Sequence, residues 1–154
     1  GPFVTELFDE TGERIRTQGR EFGTVTGRAR RCGWFDAVIV KYAARVNGIT
    51  SIWFMLLDVL TGFDKIKICT AYKMGDKIIN NFPASLEDLA KCEPVYEELD
   101  GWNEDLTNIE KFEDLPENAK KYIARIEELI DVNIDLVSVG PNRTQTIIRR
   151  NIFE

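Results

Sequence analysis

Residues 49–57, ITSIWFMLL, bounded by Gly48 and closed by Asp58, are the stretch on which the fold reading turns. The run is apolar and β-branched without polar alternation, so its spacing predicts a strand covered on both faces, as in parallel sheets. Just upstream, residues 34–46 (WFDAVIVKYAARV) are apolar round most of the helical circumference, and Asn47-Gly48 offers a carboxyl-terminal cap. This predicts a largely buried helix. Helix followed by buried strand indicates the α/β class.

Downstream, residues 65–72 alternate Ile66, Ile68 and Thr70 against Lys67 and Cys69. Met74-Gly75-Asp76 turns the chain back through residues 77–80, predicting a hairpin. Ser85 followed by Asp88 forms a capping pattern for a short helix that Glu93-Pro94 is expected to end. Pro116 suits the first position of a helix whose apolar stripe is Ala119, Tyr122, Ile123, Ile126, Leu129 and Ile130. A short strand at 132–137, a Gly/Pro loop at 138–142 and a last strand at 144–149 complete that side. Upstream, residues 1–27 are rich in Gly, Thr and charge, with a turn signal at Thr11-Gly12, and read as loop.

The 154 residues amount to one domain, and a chain of that size can bury roughly 70% of the surface exposed on unfolding. Twenty basic against 26 acidic residues give a formal charge of −6, which argues against generic binding to nucleic acid or anionic membranes. Any anion site must be a local basic cluster. No apolar run reaches the length of a membrane span, and the first residues lack the pattern of a signal peptide, so a cytoplasmic location is expected. Cys32, Cys69 and Cys92 are odd in number and far apart, which suits reduced thiols rather than a disulfide framework. The absence of histidine excludes Ser-His-Asp and Cys-His catalysis and histidine metal sites within these residues. There is no phosphate-cradling GxxxxGK[ST] loop or GxGxxG turn either. With an opening glycine in place of methionine, these features lead us to expect a piece of something larger.

Three candidate sites emerge, each with a plainer alternative. Arg28, Arg30 and Arg31 lie between Gly27 and Gly33, ahead of a predicted helix amino terminus whose free N–H groups and dipole suit a small anion. On local pattern alone, a solvated basic face fits this run better. Asp58 ends the apolar strand, where ligands of open α/β sheets sit, and one carboxylate there can accept from both N1–H and N2–H of a guanine; a turn residue is the plainer reading. Ser138, Val139 and Gly140 begin a loop at another strand end that could line a ligand or simply turn the chain. Trp34, Trp53 and Trp102, isolated from any basic stripe, read as core or edge packing.

Several blocks, in order and spacing, resemble adenylosuccinate synthetases over nearly the whole chain. They are GPFVTEL, EFGTVTGRARRCGWFDAV, LDVLTGFDKIKICTAY, FPASLEDLAKCEPVYEELDGW, LPENAKKYIARIEELI and SVGPNRTQTIIR. The resemblance is to the family's carboxyl-terminal portion. It implies an α/β fold with a P-loop-like mixed sheet, flanking helices and a β-hairpin. It also implies a magnesium-assisted ligase, typically homodimeric, that couples GTP hydrolysis to joining inosine monophosphate (IMP) and L-aspartate. In that reaction the purine 6-oxygen is phosphorylated and the aspartate amine then displaces the phosphate.

By this resemblance Thr24, Val25, Thr26, Gly27, Arg28, Ala29 and Arg30 form the loop that receives aspartate, with Arg28 also linked to IMP and Arg30 to GTP. Leu56, Leu57 and Asp58 fall at the guanine-reading position, and Ser138, Val139 and Gly140 along the guanine. The sequence departs from the family at one of these places, because the usual Thr-Lys-Leu-Asp is here Met55-Leu-Leu-Asp58. Leu56 can imitate the lysine's stem but not its ammonium group. The family's phosphate loop, catalytic aspartate and histidine, and magnesium ligands belong to its amino-terminal part. The 154 residues alone are therefore expected to be inactive and to expose apolar faces that the rest of the polypeptide covers. The alternative from another class is a stand-alone nucleotide-binding or protein-interaction domain without catalysis.

Overall fold

The computed structural model of the protein describes residues 2–150. Its contacts divide the chain into two compact units, Gly1–Ile39 with Lys67–Glu97 and Val40–Ile66 with Glu98–Glu154.

The first unit opens with α1, Glu10–Gln18, at whose amino end Asp9 accepts from the Gly12 N–H at 3.1 Å. Strand β1, Phe35–Asp36, runs parallel to β3, Lys65–Met74, with Phe35 opposite Ile68 and Asp36 opposite Cys69. Helix α2, Ala37–Asn47, leaves directly from β1. The predicted hairpin forms as β3 and β4, Lys77–Ile79, paired antiparallel from Met74 opposite Lys77. Ser85 caps the short α3, Leu86–Ala90, by accepting from the Asp88 N–H, and β5, Cys92–Asp100, pairs with β3. Val38, Cys69 and Tyr72 form one core cluster here, with Val4, Ile79, Phe82, Leu89, Cys92 and Tyr96 packed against it.

In the second unit β2, Ser51–Phe54, is parallel to β6, Asn133–Ser138, and β7, Thr146–Ile148, adds antiparallel on the other side of β6. A 3-10 turn at Leu57–Leu60 follows β2, and α4, Glu117–Ile130, leads into β6. The stripe read from sequence is the buried face of α4, with Leu129 half-buried at its edge. Tyr122 is its central anchor, with the rings of Phe54 and Trp102 each 6.0 Å away. The class is α/β with mixed sheets, as the sequence indicates.

Several boundaries differ from the sequence reading. Residues 1–27 are not all loop, since α1 forms within them although Ile15 is its only large buried apolar side chain. Its helix is secured by the Asp9 cap and by a Glu13–Arg16 pair one turn apart. The helix at 34–46 is shorter and far less buried than expected: Tyr42, Val46 and, at its start, Ile39 are exposed. The strand at 49–57 reduces to Ser51–Phe54 and is not covered on both faces, Trp53 being 53% exposed and Met55 58%. Pro94 does not end a helix; α3 stops before it, and Pro94 lies inside β5. Pro116 takes the cap position of α4 rather than the first helical one. Trp34 and Trp102 are buried, whereas Trp53 is not. The cysteines are free, Cys32 and Cys69 buried and Cys92 half-buried.

Candidate functional site

Thr24, Val25, Thr26, Gly27, Arg28, Ala29 and Arg30 occupy an exposed loop that closes on its own base. The Gly27 N–H donates to the Gly23 carbonyl and the Gly23 N–H to the Arg28 carbonyl, both at 2.8 Å, and Phe22 bridges to Ala29 antiparallel. Gly27 supplies the left-handed corner with φ +65°. Val25, 97% exposed, stands at the tip.

Below the tip the loop is anchored. Arg30 pairs with Glu21 at 3.0 Å, its N–H donates to the Glu21 carbonyl at 2.9 Å, and its carbonyl accepts from Arg16 Nε at 2.8 Å. Arg31 pairs with Glu6 at 3.5 Å. The Arg28 guanidinium meets no partner among the described residues. Arg28 and Arg30 flank the Ala29 bridge, and both side chains are exposed, that of Arg30 alongside Glu21.

The helix amino terminus expected to add its N–H groups to this loop is already occupied. Asp36 Oδ1 accepts from the Val38 and Ile39 N–H groups at 3.0 and 3.2 Å, while Tyr72 donates to Oδ2 at 2.5 Å. The Val38 and Ile39 N–H groups are therefore not free for an anion at the arginine loop. Burial raises the Asp36 carboxyl above its ordinary range despite these three bonds, and burial with the neighbouring carboxylate raises the Tyr72 phenol. Sequence reasoning passed over Asp36; the Asp two residues ahead of Val38 at a helix start was the available signal.

Leu56, Leu57 and Asp58 lie beyond the carboxyl end of β2, not in it. Leu56 adopts the left-handed conformation, φ 58° and ψ 47°, which turns the chain out of the strand into the 3-10 turn. Leu57 is fully buried and anchors that turn. Asp58 follows with one carboxylate oxygen, Oδ1, buried and unpartnered among the described residues. Burial raises its pKa, the Asp58 backbone N–H lowers it and the nearby charge of Asp105 raises it. A buried carboxylate oxygen lacking a donor is an unsatisfied acceptor, which native proteins rarely leave.

Ser138, Val139 and Gly140 are buried at the end of β6. The Ser138 hydroxyl donates to the Gly140 carbonyl at 3.0 Å, and the Val139 N–H to the Gln145 carbonyl at 2.9 Å. Gln145 reaches from this loop to Thr107, donating from Nε2 to the Thr107 carbonyl at 3.1 Å. Thr107 in turn donates its N–H and hydroxyl to Asp105, at 2.9 and 2.7 Å. Within the second unit, Gln145 and Thr107 thus join the 138–140 segment to Asp105, whose charge acts on Asp58; the sequence singled out none of these three. Among the described residues no group of three or more His, Cys, Asp or Glu could hold a metal ion, and no helix is long and apolar enough to cross a membrane.

In class this is an α/β protein of mixed sheets that carries an exposed arginine loop and, beyond a strand end, a buried carboxylate oxygen with no partner among the described residues. Residues 1–147 match the family model of adenylosuccinate synthetase. Adenylosuccinate synthetase of Clostridioides difficile (strain 630) is 80% identical over 99% of the chain, and that of Thermoanaerobacter sp. (strain X514) 64% identical over 98%. A solved structure of fully ligated adenylosuccinate synthetase from Plasmodium falciparum superimposes with a TM-score of 0.92 at 40% identity, covering 97% of this chain. The chain belongs to the adenylosuccinate synthetase family. It spans 36% of the length of the first of these relatives and 36% of the solved chain.

Proposed function

We propose that these residues are the carboxyl-terminal part of a cytoplasmic, homodimeric, GTP-dependent ligase of purine biosynthesis that joins IMP and L-aspartate into adenylosuccinate. The observation that carries this reading is Asp58: its buried, unpartnered Oδ1 has the chemistry of an acceptor for guanine N1–H and N2–H, at the position where the family resemblance expects one. Ser138, Val139 and Gly140 line the base, and Leu56 covers its face with the stem but not the charge of the usual lysine.

The loop from Thr24 through Val25, Thr26, Gly27, Arg28 and Ala29 to Arg30 receives L-aspartate. Arg28, whose guanidinium has no partner among the described residues, supplies a charged fork for aspartate and IMP; Arg30 serves aspartate and GTP once it exchanges Glu21 for a ligand anion. These groups bind and orient. Phosphorylation of the purine oxygen and magnesium binding are assigned to the remainder of the polypeptide, so the 154 residues alone should turn nothing over.

The test is synthesis of adenylosuccinate from GTP, IMP and L-aspartate by the full-length protein. Arg28→Ala is expected to raise the KM for aspartate by about tenfold or more, on the scale of one charged hydrogen bond. A full-length protein without this activity, turnover by the isolated chain, or an Arg28→Ala variant with unchanged KM values would contradict the proposal.

A further inference from the structure

We propose that Gln145 is the positioning residue of the base-reading subsite, tying the segment Ser138, Val139 and Gly140 to the loop of Asp105 and Thr107, which is itself bonded to the turn that follows Asp58. The inference rests on the guanine reading of Asp58 and the 138–140 segment given above.

Gln145 uses nearly all of its hydrogen-bonding groups for this purpose. Its main chain accepts from the Val139 N–H and donates to the Asn142 carbonyl, both at 2.9 Å, which closes the loop into a compact turn. Its side-chain Oε1 accepts from the Asn142 N–H at 3.0 Å, and Nε2 crosses 38 residues of sequence to donate to the Thr107 carbonyl at 3.1 Å. That carbonyl is itself fixed, because the Thr107 N–H and hydroxyl both bond to Asp105.

A plain turn would need only the main-chain bonds. The side-chain amide does something else, linking the end of β6 to a distant loop that is bonded to the residues just after Asp58: the Thr61 hydroxyl donates to the Glu104 carbonyl at 3.5 Å and the Gly62 N–H to the Trp102 carbonyl at 2.8 Å. Gly140 points to the same role. A Cβ at that position would lie 2.2 Å from Gln145 Oε1, so the glycine leaves the space into which the pinned amide fits. Gln145 thereby holds the wall along the base to the loop that is bonded to the Asp58 turn, and it need not touch the nucleotide to do so.

The experiment is steady-state kinetics of the full-length protein carrying Gln145→Leu, which keeps side-chain bulk and removes both amide bonds. The expected result is a KM for GTP raised about tenfold, the scale of one to two lost hydrogen bonds, with kcat at saturating GTP and the KM for IMP and L-aspartate within about twofold of the wild type. An unchanged KM for GTP, or a fall in kcat with every KM intact, overturns the proposal.

Gly140→Ala supplies the second arm, since it should displace the amide without deleting it. If Gln145 is what Gly140 accommodates, the effects of Gly140→Ala and Gln145→Ala on kcat/KM for GTP will be less than multiplicative when combined; multiplicative losses overturn the coupling. Asp58→Asn separates the two levels. If it leaves the KM for GTP unchanged, the guanine reading falls and this inference with it. If it raises that KM while Gln145→Leu does not, only the positioning role falls.

Discussion

At the scale of single residues, Asp58 combines two opposing demands. Guanine recognition needs the ionised carboxylate, while burial and the neighbouring charge of Asp105 raise its pKa above the ordinary value of roughly 4. The sign follows directly: kcat/KM for GTP should climb with pH through a free-protein ionisation lying above the usual carboxylate range, and Asp58→Asn should remove that limb from the profile. A carboxyl raised on folding contributes stability below its unfolded pKa and loses it as pH rises through the folded one. Asp58→Asn is therefore also expected to raise the denaturation midpoint at neutral pH, which thermal melts can check.

Leu56 beside it poses a second test, because a leucine in the left-handed region is strained on the order of 1 kcal/mol and lacks the family's ammonium group. Leu56→Lys is expected to lower the KM for GTP and sharpen its preference over inosine and xanthine nucleotides. An already full GTP preference in the wild type would show that the lysine's charge is dispensable. Neither the left-handed turn at Leu56 nor the orphaned oxygen of Asp58 is written in local sequence pattern; apolar run and turn residue describe them equally well without their neighbours.

At the scale of elements, the Asp36–Tyr72 bond fastens the start of α2 to β3 inside the first core. Tyr72→Phe leaves a buried carboxylate oxygen without its donor, and denaturant unfolding should report a loss of about 1–3 kcal/mol. Because folding raises the Tyr72 phenol, its contribution is intact below an unfolded value near about 10 and is lost as pH rises further. The wild type should accordingly show a steeper alkaline decline in stability than the phenylalanine variant, in which the raised Tyr96 phenol and Cys69 thiol remain.

Elements with strong periodicity were legible in sequence. The α4 stripe and the hairpin around Gly75 follow from side-chain spacing and a glycine turn. Those formed by local polar bonds were not: α1 depends on the Asp9 cap rather than an apolar face, and β5 tolerates Pro94, a residue suited to strands with an unpaired side. The arginine loop was legible as a loop, but its bond to Glu21 and the occupation of the α2 terminus by Asp36 depend on folded neighbours.

At the scale of the whole molecule, the second unit exposes Tyr42, Val46, Ile49, Trp53, Met55 and Ile148, in a chain that spans about a third of its relatives' length. The α2 and β2 segments read as buried from sequence because their composition suits an interior; these residues alone do not cover them. Under the proposed function the remainder of the polypeptide does. Light scattering should then find the 154-residue chain self-associating, and Trp53→Thr should reduce that association while destabilising the full-length protein. Equal behaviour of the two lengths would count against this.

The most direct test of the central claim, that Asp58 reads guanine for an adenylosuccinate-forming ligase, is kcat/KM for GTP in the full-length protein with and without Asp58→Asn. A loss of about a hundredfold or more is expected, the scale of two hydrogen bonds to a charged acceptor, with the KM for aspartate unchanged. A variant that uses GTP as well as the wild type does would contradict it.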